Sequence, residues 1–393
     1  MDVIYALFLK KSVRIDGIMK HFMETIQIED PRQQHKVKHT LQDVIGLVLI
    51  ATLAGADTLV DIEFFGECHA ETLAKYLSFP NGMPSHDTIG RVLQLVDPTY
   101  LYELQTKWNQ FFIQSNDATI NKIINIDGKT MRGNASKDQK ANHILSAWSK
   151  ADGVCFGQVT VNDKSNEITA IPKLLDTLHL EKMIVTLDAM GTQIDIASDI
   201  IQKKADYVLA IKENHKLLYQ DITDYFCHAP FLEEMKQLKK GYICTIEKSH
   251  SQIEKRFYYQ TDDISWLEAK AKWKDVKSMG MVEKIIEKDD EIRVERRYYI
   301  SSLQTDATLF AKAVRGHWDI EVMHWYLDVL FKEDSHQVLN KTAAMNLNVL
   351  RKIALAILKK WTPNTRKKVT SMRQKRVLLS MAFHKFLPSI LNM

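Results

Sequence analysis

The chain reads as an α/β protein: a mixed sheet with flanking helices, an N-terminal helical domain and a strand-rich insertion. Three observations predict this. Residues 25–117 carry helical apolar spacing and strong cap signals. After Asp117 the pattern turns to three short β-rich runs in succession, then to strands alternating with helices. Two of those strands, 123–127 and 183–187, run directly into an aspartate, Asp127 and Asp188.

Taken in order, residues 1–24 form an extension with no clear element. Residues 39–54 read as one apolar helix; the apolar run 44–56 is too short to span a bilayer and is expected to be buried. Thr58 caps a second helix to residue 76, Ser85 caps a third to 96, and Pro98 opens a fourth to 114. The turn cluster at 79–84 separates the second from the third. Strands are expected at 123–127, 143–149 and 154–161, then a helix at 170–178, a strand at 183–187, a helix at 193–203 and a strand at 207–212. Residues 238–295 are charged and strand-rich, with runs at 242–247 and 252–260, and they read as an insertion before a strand at 293–301. Helices at 307–331 and 343–360 follow. The implied organisation is an extension (1–24), a helical domain (25–117), a sheet domain (118–237 and 296–360), the insertion (238–295) and a basic tail (361–393).

Composition narrows the class. With 393 residues, 45% hydrophobic and 26% charged, the chain has the balance of a soluble globular protein. A net charge of +4 permits a nucleic-acid partner. Cys68, Cys155, Cys227 and Cys244 form no CxxC pair, which argues against a zinc or disulfide framework and suits a reducing cytosol. Neither a signal peptide nor a membrane span is expected.

The two aspartates carry the chemistry. Apolar strands that deliver carboxylates to one end of a sheet suit Mg²⁺, which takes oxygen ligands and needs few of them beside a substrate phosphate. A third acid is expected on the 307–331 helix. There Trp318, Val322, Trp325 and Val329 make an apolar stripe expected to face inward, and Glu321 shares that face. A buried carboxylate must be paired or metal-bound. Asp328, two turns on, is the rival, and a structural ion pair is the plainer alternative for any one of these acids. Lys129 and Arg132 follow the first aspartate on an expected loop, where phosphate contact and simple solvation are equally consistent. Lys212 ends the last core strand beside Asn214 and His215, and His215 is expected to be a surface residue. His317, His324 and His336 give no pair at i, i+4. Tyr298 and Tyr299 are expected to pack within a strand rather than act as nucleophiles. From residue 359 to 376 there are eight cations, among them Arg366, Lys367 and Lys368, and no acid, a run suited to the DNA backbone.

Several ordered motifs then carry a resemblance. They are Asp61-Ile62-Glu63-Phe64-Phe65-Gly66-Glu67, Pro84-Ser85-His86-Asp87-Thr88, Ile126-Asp127-Gly128-Lys129-Thr130, Lys164-Ser165-Asn166-Glu167-Ile168-Thr169-Ala170-Ile171-Pro172, Asp188-Ala189-Met190-Gly191, Arg297-Tyr298-Tyr299-Ile300-Ser301-Ser302, and His317-Trp318 through Leu327-Asp328-Val329. Over residues 26–360 the chain resembles the ISAs1 family of bacterial insertion-sequence transposases, which includes the H-repeat-associated proteins. The resemblance implies a ribonuclease-H-like catalytic core, a helical associated domain before it, and an insertion between the second Asp and the Glu. It implies a catalytic, metal-holding triad of Asp127, Asp188 and Glu321 with two Mg²⁺ (or Mn²⁺) ions. It also implies double-stranded DNA as partner, both the terminal inverted repeats of an element and the target. By analogy it implies a homo-oligomer on DNA in the bacterial cytoplasm, at the nucleoid. Two departures leave a second reading open, a degenerate or domesticated relative that binds DNA without cutting. After Glu321 the chain is one residue shorter than the family pattern, which must rotate the following helix by about 100° or be taken up by a bulge. His250-Ser251-Gln252 stands where the family carries His-Gly-Arg.

Overall fold

The computed structural model describes residues 30–112, 122–161, 167–237, 240–249, 252–288, 291–335, 338–365 and 371–391. They form two compact units. One takes in the chain up to Phe112, the segment Arg132–Lys140 and everything from Tyr326 on; the other holds the rest.

The first unit is helical, and the helices capped by Thr58 and Ser85 and the one opened by Pro98 begin where the sequence signals put them. Thr40 accepts from the Asp43 N–H at 3.0 Å and starts Leu41–Ala54. That helix is buried along nearly its whole length, so its unbroken apolar sequence is that of a core helix. Among the described residues no single helix is long and apolar enough to cross a membrane. Thr58 and Asp61 form a reciprocal capping box at the start of Leu59–Cys68, which ends eight residues earlier than expected and gives way to a short turn of helix, Ala70–Leu73. Ser85 caps His86–Leu95, and Pro98 opens Pro98–Phe112. The long helix Lys341–Lys360 is buried through most of its length against Leu41–Ala54, His86–Leu95 and Pro98–Phe112. Some polar groups in this core are matched across elements. Asn346 donates to the carbonyls of Leu93 and Val96, each at 2.8 Å, and Arg351 stands 3.5 Å from Glu333.

The basic run needs correction at its far end. Lys375 and Arg376 lie in the helix Met372–Met381 and are buried. Lys375 donates to the carbonyls of Leu358 and Trp361, while Arg376 pairs with Asp57 and donates to the carbonyls of Thr52 and Leu330. Both cations are spent inside the unit. Arg366, Lys367 and Lys368 lie outside the described residues, as do His336 and the 1–24 extension.

The second unit is built on one nine-stranded sheet: β1 (Lys122–Met131), β2 (Asn142–Ser149), β3 (Val154–Val161), β4 (Met183–Leu187), β5 (Asp206–Ile211), β6 (Tyr242–Ser249), β7 (Gln252–Thr261), β8 (Ser278–Lys288) and β9 (Glu291–Ser301), in the order β3-β2-β1-β4-β5-β9-β8-β7-β6. β1, β4 and β5 run parallel, and β2 is antiparallel to both its neighbours. The order β3-β2-β1-β4-β5 with these directions is the ribonuclease-H-like arrangement. Helices Glu167–Asp176 and Ile194–Gln202 pack on one part of it, and Ala307–Trp325 crosses β1, β4, β6 and β7.

The strand-rich region is not a separate sheet. β9 pairs antiparallel with β5 through Val208↔Ser301 to Ile211↔Tyr298 and with β8 along its whole length, so β6–β9 extend the core sheet without a break. Strand β8 and the helices Lys216–Cys227 and Ala229–Gln237 are additions to the elements expected from sequence. Phe310 is seated directly on β8. A Cβ at Gly280 would lie 2.5 Å from its ring, so only glycine admits it there. Tyr298 and Tyr299 are buried, with Tyr299 edge-on to Phe310 at 5.5 Å, in keeping with a packing role.

Candidate active site

Asp127 and Asp188 come together through the parallel ladder. β1 and β4 pair in register from Lys122↔Met183 to Asn125↔Thr186. Two residues further on each chain stands an aspartate, so both share the pleat side of Asn125 and Thr186. That side is held by polar bonds: Thr186 donates to Asn125 Oδ1 at 2.8 Å, and His317 Nδ1 lies 3.2 Å from the Thr186 hydroxyl. Burial lowers the proton affinity of His317, against the pull of Asp188. Beyond β4 the chain turns, and Asp188 Oδ1 accepts from the Gly191 N–H at 2.8 Å. Asp127 itself is not at a strand end. β1 continues past it to Met131 on the strength of its pairing with β2, Asp127 lying opposite Ser146.

The helix Ala307–Trp325 presents a different face from the one expected. Its buried side is Phe310, Ala313, Val314, Ile320 and Met323. Val322, Trp325 and Val329 are exposed, and Trp318 is half-buried with Arg256, Lys284 and Arg297 within 5.2–5.6 Å of its ring. Glu321 is exposed too, so the expectation that burial forces it to find a partner falls. It instead lines a cavity of about 830 Å³ together with Asp127 and Asp188, whose walls also carry Lys212, Arg296 and Arg297. Asp328 falls in the π-helical stretch Tyr326–Leu330 that follows, where Phe331 N–H bonds the Tyr326 carbonyl five residues back at 3.1 Å. A π turn holds one residue more than an α-helical turn, so it does not make up for the residue missing after Glu321.

The charges around Asp127 oppose its ionisation. Burial, with the nearby charges of Asp188, Glu167 and Glu321, pushes its carboxyl up to about 7 against the lowering effect of the Gly128 N–H. His324 Nδ1 stands 3.8 Å from Asp127 Oδ2. The sequence offered His324 no histidine partner at i, i+4 and gave Glu167 no role of its own. The first was visible as a residue one helical turn after Glu321; the second carried no signal beyond its place in a family motif.

An all-carboxylate donor set that disfavours its own charge suits a hard divalent cation in chemistry. Among the described residues no three His, Cys, Asp or Glu side chains form a group able to hold an ion as they stand.

The remaining site residues are dispersed. Lys129 is buried within β1 rather than on a loop. Arg132 is exposed in the turn after β1, its N–H bonded to Asp334 at 3.0 Å. Lys212 is exposed at the end of β5 and lines the cavity. His215 is half-buried, 2.8 Å from the Thr192 carbonyl and edge-on to Trp273, a structural setting.

Comparison with known proteins agrees with this architecture. Residues 119–357 match the family model described as the transposase DDE domain, and residues 22–109 match the one described as DDE_Tnp_1-associated. The chain is 40% identical to YncI of Escherichia coli O157:H7 over 339 residues, 84% of this chain and 85% of that protein. It is 37% identical over 349 residues to both YbfL and the H repeat-associated YhhI of Escherichia coli K12, covering 86% of this chain and 90% of each of them. The chain belongs to the DDE-domain transposase family.

Proposed function

We propose that the chain cleaves and rejoins DNA at the ends of an insertion sequence of the ISAs1 type, with Asp127, Asp188 and Glu321 as the catalytic acids. The observation that carries this is the meeting of those three carboxylates on one cavity whose wall also bears Lys212, Arg296 and Arg297. Two divalent cations, Mg²⁺ or Mn²⁺, when bound supply neutralising charge for attack on a phosphodiester and for departure of the 3′ oxygen. Asp127, Asp188 and Glu321 would hold them. Burial is the main reason that Asp127 holds its proton, and the neighbouring acids that add to this would equally favour a cation in the proton's place. The basic residues of the wall would meet the flanking phosphates, and Arg366, Lys367 and Lys368 the duplex beyond. Double-stranded DNA, both element ends and target, is the partner, engaged by more than one copy of the chain in the bacterial cytoplasm. On this reading residues 25–117 are the associated helical domain.

A Mg²⁺-dependent nicking assay on duplexes carrying the DNA that flanks the gene tests the proposal. Nicking is expected from the wild type and is expected to vanish with Asp127→Ala, Asp188→Ala or Glu321→Ala. Cleavage that survives Asp127→Ala would sink the triad. The lack, among the described residues, of a three-ligand group able to hold an ion as it stands, and the residue missing after Glu321, favour one other reading, a relative that binds DNA without cutting. Tight binding to the same duplexes with no nicking in Mg²⁺ or Mn²⁺ would select it.

A further inference from the structure

We propose that Glu167 and His143 are positioning residues for Asp127, a buried acid–imidazole pair that braces the β1 backbone at Gly128 from behind the sheet. This rests on the reading of Asp127 as a metal-holding carboxylate.

The pair is well defined. Glu167, in the first turn of Glu167–Asp176, and His143, on β2, are both buried, and Glu167 Oε1 lies 2.5 Å from His143 Nε2. The other ring nitrogen, Nδ1, is 2.8 Å from the Thr130 hydroxyl, and Thr130 is the residue directly opposite His143 in the β1–β2 ladder. A carboxylate this buried needs such a partner, and a first-turn position also favours its charge.

Side-chain alternation fixes where the pair stands relative to the cavity. Asn125 and Asp127 share one face of β1, the face on which Asn125 meets Thr186 and comes close to Gly316 of the Ala307–Trp325 helix. Gly128 and Thr130 point to the other face. A Cβ built on Gly128 would lie 2.5 Å from His143 Nε2 and 2.7 Å from Glu167 Oε1. The glycine after Asp127 thus serves neither a turn nor a positive φ. It admits the pair to within contact of the backbone that carries Asp127. From that face Glu167 cannot share an ion with Asp127, yet it lies near enough for its charge to act on Asp127. A chain of bonds from Glu167 through His143 to Thr130 brackets Gly128, so the strand cannot shift toward or away from β2 without breaking one of them. Partners of this kind, which orient the groups that hold a metal, are worth a factor of about 10–100 in metal affinity.

The test is Mn²⁺ binding by the full-length protein, read as free Mn²⁺ by electron paramagnetic resonance, with a thermal melt of each variant. Asp127→Asn is expected to weaken binding; if it does not, the metal reading of Asp127 fails, whatever the pair does. With that control in place, Glu167→Ala is expected to melt cooperatively and bind Mn²⁺ about tenfold or more weakly. Glu167→Gln, which can still bond His143, is expected to stay within about threefold of wild type. Wild-type affinity in Glu167→Ala overturns the proposal, and so does a loss in Glu167→Gln as large as in Glu167→Ala, since charge rather than the brace would then matter. If Glu167→Ala does not fold, Thr130→Val carries the test: a nearly isosteric change that removes the last bond is expected to lower Mn²⁺ affinity, and unchanged affinity overturns the inference.

Discussion

At the scale of single residues, Asp127 carries a cost that pH can reveal. Folded, its carboxyl keeps a proton up to about pH 7; unfolded, it lets go near 3.8. Between those values the folded chain binds the extra proton, so stability falls as pH rises through the window and levels off above it. Asp127→Asn removes the charge and the cost with it. The variant is expected to be more stable than wild type at pH 8, on the order of 4 kcal/mol, and nearly equal to it at pH 4. Thermal melts at the two pH values check this, and a gap that persists at pH 4 would show that the charge is not its source. Mg²⁺ at pH 8 should narrow the gap by binding the wild type alone. The two aspartates were legible in sequence because each follows an apolar β run. Glu321 was singled out by an expected burial that the structure overturns: it is exposed, and it lines the cavity with the two aspartates. His143 and Glu167 were silent because their pairing depends on which residue of β2 faces Thr130, and strand register is not written in any one segment.

At the scale of elements, the caps at Thr58 and Ser85 make two helix starts legible in the sequence, because a cap is a local bond between near neighbours. Strands 154–161 and 183–187 were legible for a similar reason, being short apolar runs between turns. The helix at 307–325 turns a different face to the sheet from the one its tryptophan stripe predicts. Trp318, Val322, Trp325 and Val329 form one apolar stripe and Phe310, Ala313, Ile320 and Met323 another, so periodicity alone could not choose between them. The sheet on the second stripe made the choice. Phe310 on Gly280 is the centre of that contact, and Phe310→Ala is expected to cost about 3–5 kcal/mol in a denaturant melt; a loss below 1 kcal/mol would show that the seat is not filled. The strand-rich region was recognised by composition, but its continuity with the core sheet was not, because pairing of β5 with β9 joins residues far apart in sequence. That pairing makes a prediction. Excising 242–288 with a short linker leaves β9 with an open edge, and the product is expected to aggregate in size-exclusion chromatography. A monodisperse, cooperatively melting product would mean that the region is dispensable to the fold.

At the scale of the whole molecule, a net charge of +4 is too small to hold DNA by itself, so cations must be concentrated where phosphates pass. If Arg366, Lys367 and Lys368 are such a place, replacing all three with alanine is expected to lower the slope of log affinity against log salt by about 2–3. Fluorescence anisotropy across a salt series measures it, and an unchanged slope would remove them from the interface. The model of the family spans both the sheet and the buried helix Lys341–Lys360, yet that helix packs with the N-terminal helices.

This interleaving has a consequence for synthesis on the ribosome. Leu41–Ala54, His86–Leu95 and Pro98–Phe112 emerge early, but the helix that fills the space between them is translated more than two hundred residues later. At about 5–20 residues per second they remain without it for roughly ten seconds or more. A nascent chain halted before Lys341 is therefore expected to be digested through its first helices by a protease that leaves the released full-length protein intact. Messages cut short by truncation of the gene would yield no stable helical unit at all, which ties the helical unit's survival to completion of the reading frame.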